Sequence, residues 1–343
     1  MRNLVTIGIP VYNAEDYVED MILSALGQTY PYIEILIVDD CGNDQSLEII
    51  LRIKSLHPRG ECIRIIRNNH NLGVGASRNK IIDEAQGKYL YFLDSDDQIE
   101  DYTIQLLVNT LEAHSAQIVY ASYEIINLIN DTTRELYQKP SIFFSVEDSL
   151  AAYAYSHTNV FQITVCNSLI DLLFLKQTGI RFIDSFFWED MAFTYELVTM
   201  VKRAVLLPDI TYHYYRRTGS LSHYQDRDKL EKNEIEKNIQ AIDYLKEKSR
   251  VLIDKHYLPY LCKNLEMNSF YIVCHILKYT RRIEPSFTNR EIRAILHHPF
   301  SFWEIIQFRH LMIQNLFLWL LGAMPFVAAI PSIWLLGKIK KIL

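Results

Sequence analysis

Tyr89-Leu90-Tyr91-Phe92-Leu93 is an apolar run that ends abruptly in acid, at Asp94-Ser95-Asp96-Asp97. Three carboxylates crowded at the end of a buried strand repel one another, so the arrangement makes most sense with a hard cation among them. Magnesium and manganese prefer oxygen ligands and commonly bridge one or two carboxylates to substrate phosphates. Open α/β sheets bind their ligands at the carboxyl ends of strands. By themselves the four residues read equally well as an acidic turn, with Asp96 or Asp97 capping a helix before Ile99-Glu100-Asp101. The surrounding sequence has to decide.

Upstream, strand-like runs at 5–10, 33–39 and 63–67 alternate with helical patterns at the spacing of βαβ units, and 89–94 is the fourth such run. Asn13 is placed to cap a helix whose apolar residues Val18, Met21, Ile22, Ala25 and Leu26 recur at three and four. A second helix is expected over 45–56, and a third after the glycines of Asn71-Leu72-Gly73-Val74-Gly75. These elements predict a parallel sheet with helices on both faces. Downstream the pattern changes to a helix near 102–113, a strand over 117–126, a turn-rich hairpin stretch at 127–141, and helices near 146–155 and 169–178. Trp188-Glu189-Asp190-Met191 then leads into a helix to about residue 200, followed by a strand over 204–208 and the aromatic-basic run Tyr212-His213-Tyr214-Tyr215-Arg216-Arg217. The stretch 226–255, dense in Lys, Glu and Ile, reads as a solvated helix.

With 343 residues the chain has ample material for a core, and its net charge of -6 leaves no overall basic field, which removes nucleic acid as an expected partner. The five cysteines are widely spaced, without CxxC or Cys/His metal spacing, and read as small core residues of a reduced, cytosolic protein. Arg2 leads straight into a strand-like run, which is not a secretory signal pattern. At the other end no charged residue occurs from Leu311 to Gly337, and Lys338, Lys340 and Lys341 follow. The apolar core of that segment, 316–336, is long enough to cross a bilayer, but Gly322, Pro325 and Pro331 divide it into pieces at 316–324 and 330–336. Positive charge on both sides favours a re-entrant or interfacial hairpin over a single span or a buried helix pair, with the membrane surface as partner of 311–343.

Several motifs carry chemistry. Asn71-Leu72-Gly73-Val74-Gly75-Ala76-Ser77-Arg78 places two glycines and an arginine around a helix start, where backbone N–H groups and the dipole favour a diphosphate. Arg78 has two partners open to it, phosphate or the acidic cluster. Glu189-Asp190 follows Phe186-Phe187-Trp188, an apolar setting that raises a carboxylate's proton affinity, as a general base requires. The same pair also reads as an ordinary acidic helix start.

Taken in order, these stretches resemble the inverting family-2 glycosyltransferases of GT-A type. Val5-Thr6-Ile7-Gly8-Ile9-Pro10-Val11-Tyr12-Asn13 resembles the family's opening, Ser24 through Gln28-Thr29-Tyr30 its first helix end, and Val38-Asp39-Asp40 its second strand end. Asn71-Leu72-Gly73 with Ala76-Ser77-Arg78-Asn79 resembles its donor loop, Asp94-Ser95-Asp96-Asp97 its metal motif, and Glu189-Asp190 its catalytic acid pair. The resemblance fades beyond about residue 225. It implies a Rossmann-like mixed sheet with helices on both faces over 1–225, divided into a donor half to about 100 and an acceptor half after it. A helical region over 226–308 and the membrane-associating segment 309–343 complete the expected organisation.

The resemblance also implies transfer of a sugar, with inversion, from a nucleotide-diphosphate donor, a UDP-sugar being favoured, to a hydroxyl of a glycan or lipid-linked acceptor. Asp190 would be the base, with Trp188 and Glu189 positioning the acceptor. Mn2+ or Mg2+ would be held by Asp96 with Asp97 or Asp94. Donor contacts would come from Pro10, Tyr12, Asn13, Asp40, Gly73, Arg78, Asp94, Ser95, Arg216 and Ser220, with Asp40 accepting the N3–H of uracil. The turn Arg216-Arg217-Thr218-Gly219-Ser220 resembles the family's donor-closing loop, but Thr218 stands where some relatives carry a metal-ligating histidine. His213 and His223 on either side are expected to be structural. A non-catalytic scaffold of the same fold, acting at a membrane or binding sugar nucleotides, is the rival reading. A sugar-nucleotide pyrophosphorylase would open with a glycine-rich loop, which Ile9-Pro10-Val11-Tyr12-Asn13 is not.

Overall fold

The computed structural model describes residues 3–129, 132–158, 164–185, 188–217, 227–340 and 342. The chain forms two compact units: Met1–Leu150 with Asn159–Ile183 and Leu197–Ser220, and Ala151–Thr158 with Asp184–Glu196 and Leu221–Leu343.

In the first unit, β1 (Val5–Val11), β2 (Ile33–Asp39), β3 (Ile63–Arg67) and β4 (Tyr89–Phe92) are the runs expected from sequence. β1, β2 and β4 are buried at every position, as strands covered on both faces must be. Helices α1 (Val18–Leu26), α2 (Ser46–Leu56) and α3 (Val74–Glu84) connect them, and the β1–β2, β2–β3 and β1–β4 pairings are all parallel. α3 lies so close to β1 that a Cβ on Gly8 would come within 2.3 Å of the Ile81 side chain, so only glycine fits there.

Beyond β4 come β5 (Gln98–Ile99), α4 (Thr103–His114), β6 (Ile118–Asn127), β7 (Thr133–Tyr137), β8 (Ile142–Phe144), β9 (Ser168–Asp171), α6 (Leu172–Thr178) and β10 (Ala204–Arg216). The sheet runs β3-β2-β1-β4-β9-β6-β10-β5, with β7 on β6 and β8 on β10. It is mixed rather than purely parallel, because β9 lies antiparallel between β4 and β6. The sequence periodicity extends the α6 helix back to residue 169 instead, because a buried four-residue strand is too short to show a period of its own. β10 does not stop at residue 208. It continues past Pro208 through register shifts against β6, the kind of irregularity that accommodates a proline inside a sheet. Asn13 is not a cap: it has φ 48, and α1 begins five residues later with Tyr17 at its N-cap.

The second unit holds most of α5 (Ser149–Ser156) and the start of α7 (Glu189–Met200). To these it adds α8 (Lys232–Ser249), α9 (Leu258–Lys278), α10 (Asn289–Ile295), α11 (Phe302–Ile305), α12 (Met312–Ala323) and α13 (Phe326–Ile339), with a two-stranded ladder of β11 (Leu230–Glu231) and β12 (Ile283–Glu284). Its interior is tied by Lys246 on α8, whose ammonium meets Glu266 on α9 at 2.9 Å and donates to the Ile295 and His297 carbonyls. The C-terminal helices break once, at Met324-Pro325. Pro331 lies inside α13 rather than ending a piece, so the two helices are longer than the 316–324 and 330–336 segments expected.

Candidate active site

Three strand ends of the first unit meet the start of α3. At the end of β2, Asp40 is buried, and its carboxylate accepts from Asn68 Nδ2 at 2.7 Å, Leu72 N–H at 2.9 Å and Gly73 N–H at 2.8 Å. Gly73 takes φ +88 and ψ 160, a combination essentially restricted to glycine, and serves as N-cap of α3. Asp40 therefore holds the loop that leaves the first N–H groups of α3 free to face an anion. Its neighbour Asp39 accepts from Gly42 N–H and pairs with Arg67 at 2.9 Å. Pro10 is buried in β1, Tyr12 is exposed, and the Asn13 side chain accepts from Asn43 N–H at 2.9 Å, joining the β1 and β2 loops.

The acidic strand end is not a helix cap, since β5 follows it directly and α4 starts only at Thr103. Its carboxylates have different surroundings. Asp94 pairs with Arg78 at 2.8 Å; the arginine is buried and lies over the Phe182 ring. Burial first, then the charge of Asp94, pushes the pKa of the buried Cys166 thiol well above the usual thiol range. Asp97 is buried: Oδ2 accepts the Tyr212 hydroxyl at 2.6 Å and Oδ1 the Tyr215 N–H at 2.9 Å. Burial first, then the charges of Asp96 and Asp94, raise its pKa well above the usual carboxylate range. Asp96 and Ser95 are half-buried. Asp96 is raised to about 6, by burial and then by the charge of Asp94, with Arg217 opposing the shift.

Arg217 had no separate role in the sequence reading, which chose Arg216. It lies 3.7 Å over the Tyr17 ring and 4.9 Å over that of Tyr215, and donates to the Asp96 carbonyl at 2.7 Å, with Asp96 Oδ2 at 3.7 Å. A simple alternation underlies this. His213 and Tyr215 on β10 and Arg217 just past its end follow at alternate positions and reach Glu100, Gln98 and Asp96 in turn. The period-two signal was legible, but its partner β5 is two residues long and invisible without the fold. His213 also meets Glu124 at 2.8 Å, so both ring nitrogens have carboxylate partners. Tyr212 and Asn68, which brace Asp97 and Asp40, were missed as well.

In the second unit, Glu189 is buried and Asp190 half-buried in the first turn of α7. Trp188 N–H donates to Ser185 Oγ, which contacts Asn238 on α8. Phe186, Phe187, Ser220 and His223 lie outside the described residues.

Among the described residues no group of three or more His, Cys, Asp or Glu forms a ready metal cage. The donor set nevertheless suits a hard divalent cation that completes its shell elsewhere. Asp94 and Asp96 are two partly accessible carboxylates, and the pKa of Asp96 is raised partly by its neighbour's charge, a repulsion that a cation relieves.

Sheet order, helix placement and this strand-end site define a GT-A nucleotide-diphospho-sugar transferase fold. The crystal structure of Staphylococcus aureus TarS 1–349 in complex with UDP-GlcNAc superposes with a TM-score of 0.65 at 17% identity, covering 93% of this chain and 90% of that one. Residues 6–169 match the family described as Glycosyl transferase family 2. The putative teichuronic acid biosynthesis glycosyltransferase TuaG of Bacillus subtilis is 33% identical over 125 residues, 36% of this chain and 48% of that protein. WfaP of Escherichia coli, a UDP-Glc:alpha-D-GlcNAc-diphosphoundecaprenol beta-1,3-glucosyltransferase, is 27% identical over 241 residues, 69% of this chain and 86% of that protein. The chain spans about half the length of TuaG and of an uncharacterized glycosyltransferase of Haemophilus influenzae.

Proposed function

We propose that this protein is an inverting glycosyltransferase that moves a sugar from a nucleotide-diphosphate donor, a UDP-sugar being favoured, to a hydroxyl of a glycan or lipid-linked acceptor. The observation that carries the reading is the Arg78–Asp94 pair, which joins α3 to the acidic end of β4 and so brings an anion-binding helix start beside a cation-binding strand end. The relatives' printed activities support the donor and acceptor classes, since WfaP is named for a UDP-Glc donor and a diphosphoundecaprenol-linked acceptor.

In this reading the free N–H groups at the start of α3 bind the donor diphosphate, and Arg78 divides its charge between phosphate and Asp94. Ser95, Gly73 and Tyr12 line the donor, with Pro10 and Asn13 shaping the base side and Arg216 and Ser220 belonging to the closing loop. Asp96 with Asp94 would hold Mn2+ or Mg2+, while Asp97, with both oxygens engaged, fixes the motif's backbone. Such a cation, when bound, supplies charge neutralisation at the departing diphosphate. Asp190 accepts the acceptor's proton as its oxygen attacks the anomeric carbon, and Glu189 and Trp188 orient the acceptor. The enzyme works at the cytoplasmic face of a membrane, reached through 311–343.

A panel of UDP-sugars, with UDP release followed with and without chelator, tests the assignment. Asp190→Asn should lower transfer by about 10² or more with donor affinity retained. Full turnover in chelator would remove the cation from the reading. Loss of donor binding with normal transfer per bound donor would make Asp190 a binding residue.

A further inference from the structure

We infer that α11, α12 and α13 together form a monotopic docking face for the surface of an anionic bilayer, lying in the headgroup plane rather than crossing it. The inference rests on, and deepens, the proposed membrane partnership. Among the described residues no helix is long and apolar enough to cross a membrane. With 12 and 14 residues, α12 and α13 extend only about 18 and 21 Å at 1.5 Å per residue.

Each helix is firmly seated on one side. On α12, Asn315, Leu318 and Leu321 are buried; Asn315 donates to the Pro259 carbonyl on α9, and a Cβ on Gly322 would meet the Leu296 carbonyl at 2.1 Å. On α13, Ala329, Ile333 and Gly337 turn inward. The opposite stripes are apolar and open. Ile313, Phe317 and Leu320 recur at four and three along α12, with Ile313 73% exposed. Val327, Pro331, Trp334 and Leu335 do the same along α13, with Val327 82% exposed. The Phe302 ring of α11 lies tilted against that of Trp319 on α12, with centroids 5.7 Å apart, and beside it stands Trp303, 70% exposed. The face therefore begins ahead of the apolar tail itself.

Composition selects a lipid surface as the occupant. Three of the chain's four tryptophans, Trp303, Trp319 and Trp334, lie on these helices, and indole rings favour the headgroup level. No Asp or Glu follows Glu304, whereas Arg309, Lys338, Lys340 and Lys341 do. That one-sided charge matches anionic headgroups. A two-fold contact between copies would instead bring like charges together.

The test sediments the full chain with vesicles of phosphatidylglycerol and phosphatidylcholine, or of phosphatidylcholine alone. Expected are pelleting with the anionic vesicles, a blue shift of tryptophan emission, and at least a ten-fold loss of binding in the Trp303→Glu, Val327→Glu, Leu335→Glu variant, whose nucleotide affinity stays at the parent value. All three positions are exposed, so the variant should fold, and circular dichroism checks this. A parent chain that stays in the supernatant, or a variant that pellets as well as the parent, overturns the inference. So does a parent dimer in sedimentation equilibrium that the variant abolishes without any vesicle binding, which would assign the face to a second copy. Vesicle binding without affinity for any UDP-sugar would refute the transferase reading and leave this face standing.

Discussion

Replacing Tyr212 by Phe removes one hydroxyl from the most deeply buried part of the acidic motif. That hydroxyl donates to Asp97 Oδ2 at 2.6 Å and accepts weakly from the Asp94 N–H at 3.5 Å. Among the described residues, the Asp97 carboxylate is then left with the Tyr215 N–H. A hydrogen bond to a buried charged group contributes about 1.5–3 kcal/mol, so Tyr212→Phe should lower the unfolding free energy of the first unit by about 2 kcal/mol. With one of its two lowering donors gone, the pKa of Asp97 is pushed higher still. Asp96 is the next residue back, so loss of Asp97's anchorage should also weaken cation-dependent UDP binding; a displacement near 1 Å is worth about 10² in a positioned site. Urea titration and calorimetry with UDP and Mn2+ measure the two effects. Asp97→Asn tests the coupling, because in the double variant the second change should cost much less than it does alone. Additive costs, or a Tyr212→Phe protein with unchanged midpoint and UDP affinity, would refute the view that this bond holds the motif in place.

Other positions give independent tests. Arg217→Met removes the cation beside Asp96, worth about 1 kcal/mol in a partly exposed site, so Mn2+ affinity without nucleotide should rise about five-fold in a spin-resonance titration; no change would confine Arg217 to holding the Asp96 carbonyl. Gly73→Ala meets no atom within 4 Å, so its cost is purely the φ of +88, about 1–3 kcal/mol, and should appear as weaker UDP binding with the fold retained. In the second unit, burial raises Glu266 to about 7, with Lys246 opposing the shift. Its contribution to stability is full below the unfolded value of 4.5 and is lost as pH rises through about 7, so the fall in urea midpoint between pH 5 and 8 should be shallower in Glu266→Gln.

The parallel core of the first unit was legible because β1, β2 and β4 are continuous apolar runs and α1 has a clean three-four pattern, signals that arise from burial on both faces of a sheet and on one face of a helix. The acidic cluster was legible as a concentration of like charge at a strand end, and its place among the other motifs, rather than the four residues alone, set it apart from an acidic turn. β9 and β5 were not. Four-residue and two-residue strands take their conformation from the neighbours they pair with, so nothing local announces them.

The sequence by itself determined where charge, apolar surface and backbone freedom lie: the carboxylates of 94–97, the glycine at 73, the uncharged stretch from 311 to 337 with lysines after it. Only the tertiary structure decided how those carboxylates differ. Asp97 is turned inward to Tyr212 and Tyr215, Asp94 to Arg78, and Asp96 lies beside Arg217, through partners more than a hundred residues away in all but the Arg78 pair. Likewise the apolar tail became two seated helices with open outer stripes once α9 supplied the surface on which they rest. A residue's chemistry is local, but the desolvation and hydrogen bonds that assign its role come from elements the chain brings together only on folding.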